Sequence, residues 1–283
     1  MRWKIEHSLN YTYSQPVVLD TQVIHLRPRN TVRQRVVSFK LDIHPRPSFR
    51  TNHVDAENNA VTTAWFQGEH GGLELAASSR VETYDINPYD FILTDPAMTQ
   101  VPFSYPEPER SLLALYIPCE EKVSAVLSDF LKPILITAKY ETVPFLMNLT
   151  NQVYGGFKRR ERKHGDPWEP AHTIEKGRGA CRDLAWLFVN ACRCLGLAAR
   201  FVSGYYAPFN SRKKPELHAW AEVFLPGAGW IGFDPSLGLA VSERHIALAA
   251  SYDPNLTLPT GGAFWGRDVS SRLDASIEIR PVK

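Results

Sequence analysis

The sequence predicts an α+β protein in which an N-terminal antiparallel β-sandwich domain precedes a second part built from helices packed on an antiparallel sheet. Three observations carry that prediction. Apolar residues recur with a period of two through residues 1–83. Helical stripes begin only after a proline-rich stretch that follows. The last helical stripe then runs into β-branched and aromatic segments separated by turn residues, which is the order of an α+β arrangement.

Trp3, Ile5, Leu9, Tyr11 and Tyr13 fall on odd positions, and Val37, Phe39, Leu41 and Ile43 repeat the alternation, as do Leu73, Leu75, Ala77 and Val81. Each reads as a half-buried strand. The turn formers Asp55-Ala56-Glu57-Asn58-Asn59 precede a further β-rich run, Val61 to Phe66. From Tyr84 the alternation stops, and Pro88, Pro96, Pro102, Pro106 and Pro108 each remove a backbone donor and disfavour helix in the preceding residue. The reading is therefore a β domain over 1–83, a connection over 84–118, and a second domain over 119–283 that includes the C-terminal strands.

In that second domain Val123, Val126, Leu127, Phe130 and Leu131 predict an amphipathic helix closed by Pro133. A second helix begins near Thr142, with Pro144 in its first turn, and stops at Gly155-Gly156. Leu184, Leu187, Phe188, Ala191 and Leu195 mark a third, bounded by Gly177 and Gly179 before it and Gly196 after it, so Cys181 opens this helix. Strands follow over 199–206, 217–225 and 230–234, the last two joined as a hairpin around 226–229. The tail adds a strand over 245–250, a turn-rich 253–262, and an alternating strand through Leu273, Ala275, Ile277 and Ile279.

Composition excludes several classes. Hydrophobic residues are 44% and charged residues 22% of 283, near the globular averages, so the chain is neither disordered nor fibrous. Lys+Arg 32 against Asp+Glu 30 leaves +2, and the short basic stretch Lys158 to Lys163 does not make the footprint of a nucleic-acid binder. No run approaches the roughly 18 apolar residues of a membrane helix, and Met1 to Asn10 carries charges where a signal peptide needs apolar residues. The expectation is a soluble cytoplasmic protein with neither nucleic acid nor membrane as partner. Cys192 and Cys194 lie at i and i+2, which suits neither a mutual disulfide nor a shared metal; both read as small buried hydrophobes.

Cys181 differs, because free N–H groups and the positive dipole end of a helix N-terminus favour a thiolate, the nucleophilic form. Its own N–H is also placed to face a developing oxyanion. His218 lies on the strand His218 to Leu225, where β propensity does not call for it. Asp234 ends the next strand, and simple hairpin register puts it within one or two pairs of His218, close enough to orient an imidazole after a modest bulge or twist. Nucleophile, base and orienting carboxylate then stand in the order Cys, His, Asp. Singly, each has a bland alternative: a buried small residue, a satisfied core histidine, a turn residue before Pro235.

The strings Gly179-Ala180-Cys181-Arg182-Asp183, Gly196 to Tyr205, His218-Ala219-Trp220 and Gly229 to Pro235 resemble the bacterial transglutaminase-like cysteine hydrolase family over roughly residues 140–240. Tyr11 to Val17 and Leu26-Arg27-Pro28-Arg29 resemble the β domain that precedes the core in bacterial members. The resemblance implies a papain-like, transglutaminase-like core, with Cys181 as nucleophile, His218 as general base and acid, and Asp234 as orienter. It implies an amide substrate, peptide, protein or glutamine side chain, and a thioester intermediate. No cofactor or metal is expected, and no acidic cluster of EF-hand type is present in the sequence. The alternative is a scaffold that keeps the fold without the chemistry.

Overall fold

The computed structural model describes residues 1–118, 125–162, 165–208 and 215–282. The first part contains β1 (Arg2–Leu19), β2 (Gln22–Ile24), β3 (Gln34–His44), β4 (Phe49–Val54), β5 (Ala60–Trp65) and β6 (Glu69–Thr83). Then follow α1 (Glu109–Leu112), α2 (Ala125–Thr137), α3 (Thr142–Gly156), β7 (Lys158–Arg159), α4 (Pro170–Lys176), β8 (Arg178–Gly179) and α5 (Cys181–Arg193). The chain closes with β9 (Ala199–Tyr206), β10 (Glu216–Leu225), β11 (Gly229–Asp234), β12 (Leu239–Ala240), β13 (His245–Ser251), β14 (Thr260–Gly261), β15 (Phe264–Trp265) and β16 (Ser271–Pro281).

These strands form the expected α+β architecture. One sandwich sheet has the order β15-β1-β6-β3, with β16 on β1, and the other has the order β14-β2-β5-β4. Alternation fails at Val37, which is exposed, because a register shift between Val36 and Ser38 in the β3–β6 pair moves it off the period of two. The second part holds an antiparallel sheet of order β12-β11-β10-β9-β13, with α5 packed on one face. Leu184, Leu187, Phe188 and Ala191 of α5 meet Ala221, Val223, Leu225 and Phe233 of that sheet in one buried cluster.

Two expectations about segment limits are revised. Pro133 lies inside α2, which continues to Thr137, so the proline costs one helical hydrogen bond without ending the helix; Val123 lies outside the described residues. The tail strands, grouped by the sequence with the second domain, hydrogen-bond to the first: β14 to β2, and β15 and β16 to β1, with Trp3 opposite Pro281 and Tyr13 opposite Ser271. An antiparallel partner can come from any distance along the chain, and alternation alone does not name it. The two parts also share a core, since Trp3, Ile5 and Val81 pack with Tyr205, Ile246 and Leu248.

The proline-rich connection forms no named strand. Its buried Tyr105 nevertheless ties it to the sheet, donating its hydroxyl to Phe224 O (2.7 Å) and accepting from Ala198 N (3.0 Å). Cys192 is a fully buried free thiol, and burial holds it well above the ordinary thiol range. Cys194, by contrast, is disulfide-bonded, although not to the neighbouring Cys192. Among the described residues no helix is long and apolar enough to cross a membrane.

Candidate active site

The N-terminus of α5 is fixed by a buried carboxylate. Asp183, fully buried, accepts from Ala180 N (2.7 Å) and Trp168 N (2.9 Å), and pairs with the Arg162 guanidinium at 2.8 and 3.0 Å. This satisfies a backbone donor left over at the helix start and anchors the preceding loop to it. Gly179 is required here, because a Cβ at that position would come within 2.8 Å of Asp183 Cβ. Arg162, in the basic stretch that begins at Lys158, is thus the ion-pair partner of Asp183, and its Cζ sits 4.5 Å from the Trp168 ring centroid. Cys181, half-buried in the first turn, thus has a rigid support.

His218 and Asp234 meet in a way that the simple hairpin register does not deliver. That register pairs Asp234 with residue 221, on the face opposite His218. In the structure Ala221 pairs with Phe233 and Leu225 with Gly229. The loop therefore holds three residues, Pro226 to Ala228, and the one-residue change moves Asp234 to the face of Trp220 and His218. His218 Nε2 and Asp234 Oδ2 are 2.6 Å apart with both side chains essentially inaccessible.

Electrostatics follow from this burial. Desolvation alone would lower the proton affinity of His218, but the Asp234 carboxylate outweighs it and the Cys181 thiol adds to it, so the imidazole is pushed up to about 10. Desolvation would raise Asp234, and the His218 and His245 imidazoles reverse that, leaving it held far below the usual carboxylate range. His218 Nδ1 is buried without a hydrogen-bond partner of its own among the described residues. It is the ring nitrogen left over for Cys181 once Nε2 faces Asp234.

A fourth residue, His245, escaped the sequence reading. Its Nε2 lies 3.1 Å from the same Asp234 Oδ2, and its Nδ1 accepts from Ser242 N at 3.1 Å. A nitrogen that accepts from a backbone N–H carries no proton, so the proton of neutral His245 is on Nε2 and is donated to Asp234. Burial keeps this imidazole below its ordinary value, in its neutral form. The other oxygen, Oδ1, accepts from Ser236 N (2.9 Å), Ser236 Oγ (2.8 Å) and Leu237 N (3.2 Å). Five donors thus surround one buried carboxylate. The signal in the sequence was a histidine heading the otherwise apolar His245-Ile246-Ala247-Leu248-Ala249-Ala250, a poor place for an unpaired imidazole.

His218, Asp234 and His245 also bring three metal-binding atoms within 4.8 Å of one another. Two ligands on one tetrahedral zinc ion, at about 2.0–2.1 Å each, stand about 3.3 Å apart. The 2.6 Å His218–Asp234 separation is shorter and is that of a charge-assisted hydrogen bond. Trp220 is core and not substrate wall, packed with Val202, Val241, Ala247 and Ala250. Trp230 carries the Arg200 guanidinium 4.0 Å above its ring, with Arg200 paired to Glu222 at 2.7 Å.

Both parts of the chain have counterparts among known proteins. Residues 3–82 match the bacterial transglutaminase-like N-terminal region, and residues 132–235 match the transglutaminase-like superfamily core, the span that holds Cys181, His218 and Asp234. The chain thus joins a bacterial transglutaminase-like N-terminal region to a transglutaminase-like core. A Cytophaga hutchinsonii crystal structure, described as that of a candidate cysteine protease, superposes with a TM-score of 0.71 at 18% identity. That superposition covers 100% of this chain and 92% of the other, so the fold is shared throughout. Uncharacterized proteins of Mycobacterium tuberculosis and Mycobacterium leprae are 26% and 24% identical, over 99% and 98% of this chain and 93% and 98% of theirs. His245 lies beyond the matched core, in β13.

Proposed function

We propose that this transglutaminase-like chain is a thiol enzyme that cleaves an amide, or transfers its acyl group, through a thioester on Cys181. The observation that carries the reading is the buried 2.6 Å His218–Asp234 hydrogen bond, on an imidazole whose proton affinity Cys181 also raises. A proton held up to about pH 10 makes His218 an imidazolium at neutral pH, the partner a thiolate needs.

The Cys181 sulfur attacks the amide carbonyl carbon, and the C–S bond forms as charge gathers on oxygen. The Cys181 N–H, in the first turn of α5 where intrahelical acceptors are lacking, stabilises that charge. As the C–N bond breaks, the imidazolium gives its proton to the departing nitrogen. Neutral His218 then takes a proton from water or from a second amine. The attacking oxygen or nitrogen displaces the sulfur, and the thiolate–imidazolium pair returns. Asp234 holds the ring and compensates its charge. Its own position is held by Ser236, Leu237 and His245.

The test is a screen of glutamine-containing peptides and peptide amides for release of ammonia or amine, with and without an added primary amine. Release that disappears in Cys181→Ser is the expected result, and amine incorporation by mass separates transfer from hydrolysis. Release that persists in Cys181→Ser, or no release from any amide, contradicts the reading.

A further inference from the structure

The sandwich has one open flank. β3 and β4 are the end strands of their two sheets, so each has one row of backbone groups that no strand among the described residues pairs. The two edges face each other across a groove of about 1010 Å³. Arg50 on β4 spans it at one point, donating from Nη1 to Leu41 O on β3 at 3.3 Å. Folded proteins blunt long exposed edges because such edges recruit other strands. β4 is left uncovered, with Phe49 and Val54 64% and 62% exposed.

The charge in the groove is one-sided. Its lining includes Arg27, Lys40, Arg46, Arg50 and His53, with Asp42 as its one acid. Asp42 is taken by Lys40 at 2.6 Å. Arg27, Arg46 and Arg50 have no ion pair among the described residues and are exposed. For a chain whose formal net charge is only +2, this is a local concentration and not a general basicity. Three uncompensated guanidinium groups call for carboxylates, and an unpaired strand edge calls for a peptide backbone. A nucleic acid or a free polyanion would satisfy the first requirement and leave the second unmet.

We propose that this groove binds an extended acidic peptide segment of a partner protein, which adds as a strand to the free edge of β4 and sets its carboxylates against Arg27, Arg46 and Arg50. β4 has six residues, so at about 3.3 Å per residue it offers roughly 20 Å of edge, enough for a segment of about six residues. Alternate side chains of the segment, its carboxylates, lie on the face that carries Arg50 and Val54, and those between them lie on the face that carries Phe49 and His53. The inference rests on the flank alone and stands or falls independently of the chemistry at Cys181.

The test is fluorescence anisotropy of the full chain with a fluorescein-labelled peptide of alternating Glu and Val. Companion probes are a Lys-Val peptide, a Glu-Val peptide with proline at every other Val, and an oligothymidylate of equal charge. The account expects the Glu-Val peptide to bind and the Lys-Val peptide to fail. Proline should weaken binding at least about tenfold, because it removes the donors that pair with the edge. Arg46→Glu, at an exposed side chain without an ion pair, should weaken it about tenfold with an unchanged melting temperature. Arg50→Glu should add to that loss. Absence of Glu-Val binding, indifference to proline, indifference to Arg46→Glu, or equal binding of the oligothymidylate would each overturn the proposal.

Discussion

Two strands from the last third of the chain make an instructive pair. β13 is buried at every one of its seven positions, while β16, with eleven, is exposed at nine and half-buried at two. β13 is the end strand of the second part's sheet, paired with β9, and it meets the sandwich part through Arg29 and Gln34, which bond to its Ala247 backbone. β16 lies on the outside of β1. The difference shows where geometry is over-determined. The carboxylate of Asp234 and the imidazoles around it are held from both sides by packed sheet, while the sandwich leaves a flank free for surface recognition.

The largest expected effects are therefore at the buried site. On an amide substrate, Cys181→Ser and His218→Ala should each lower kcat by about a thousandfold or more, and the double variant should be little worse than either, because these groups act as a unit. Asp234→Asn should keep more turnover than either. Steady-state kinetics on the four variants checks this, and additive losses would break the account.

His218→Ala should also cost stability, since it strips a fully buried carboxylate of its cation, by about 3 kcal/mol at neutral pH. The sign with pH is fixed. Asp234 is depressed in the folded state, so the stability it contributes is present above the unfolded carboxylate range and is lost as pH falls through the folded value. His218 is raised, so its part is complete below about 6.5 and is lost as pH rises through about 10. Denaturant melts should show the gap between wild type and His218→Ala closing on acidification; a gap independent of pH would contradict the coupling.

A glycine in each region sharpens the contrast. A Cβ at Gly204 in β9 would run into the Ile246 carbonyl oxygen and come within 2.7 Å of Trp220 Cη2, whereas a Cβ at Gly71 in β6 would meet nothing within 4 Å. Gly204→Ala should cost about 3 kcal/mol and Gly71→Ala less than about 1 kcal/mol by chemical denaturation. Similar costs at the two would mean the regions are equally tolerant.

His245 gives the smallest effect on the chemistry. His245→Gln can still donate to Asp234 and His245→Leu cannot, so kcat should fall about tenfold in the leucine variant and recover in part with glutamine, KM being little changed. Equal losses in both variants would make His245 a packing residue only.

The sequence was informative where a local pattern has one structural reading. A period of two through Trp3, Ile5 and Leu9, or Gly179 and Gly196 around an apolar stripe, leaves few options. Cys181, His218 and Asp234 were legible because each stands in a motif on its own element. The hairpin register was not: three loop residues or four decide which face Asp234 takes, and Pro226 to Gly229 fits both. Nor was His245, whose role depends on a strand paired with β9 after a long excursion, or β16, whose alternation does not name β1. Such pairings are decided by long-range packing.

The most direct measurement is alkylation of the native protein by iodoacetamide at about pH 6, read by peptide mass mapping, in wild type and in His218→Ala. The account predicts that half-exposed Cys181 is labelled while buried Cys192 is not, and that loss of the His218 imidazolium slows Cys181 labelling at least about tenfold, a difference that closes toward alkaline pH. Labelling of Cys181 at the same rate in both proteins, or of Cys192 alongside it, would contradict the thiolate–imidazolium pair on which the proposed chemistry depends.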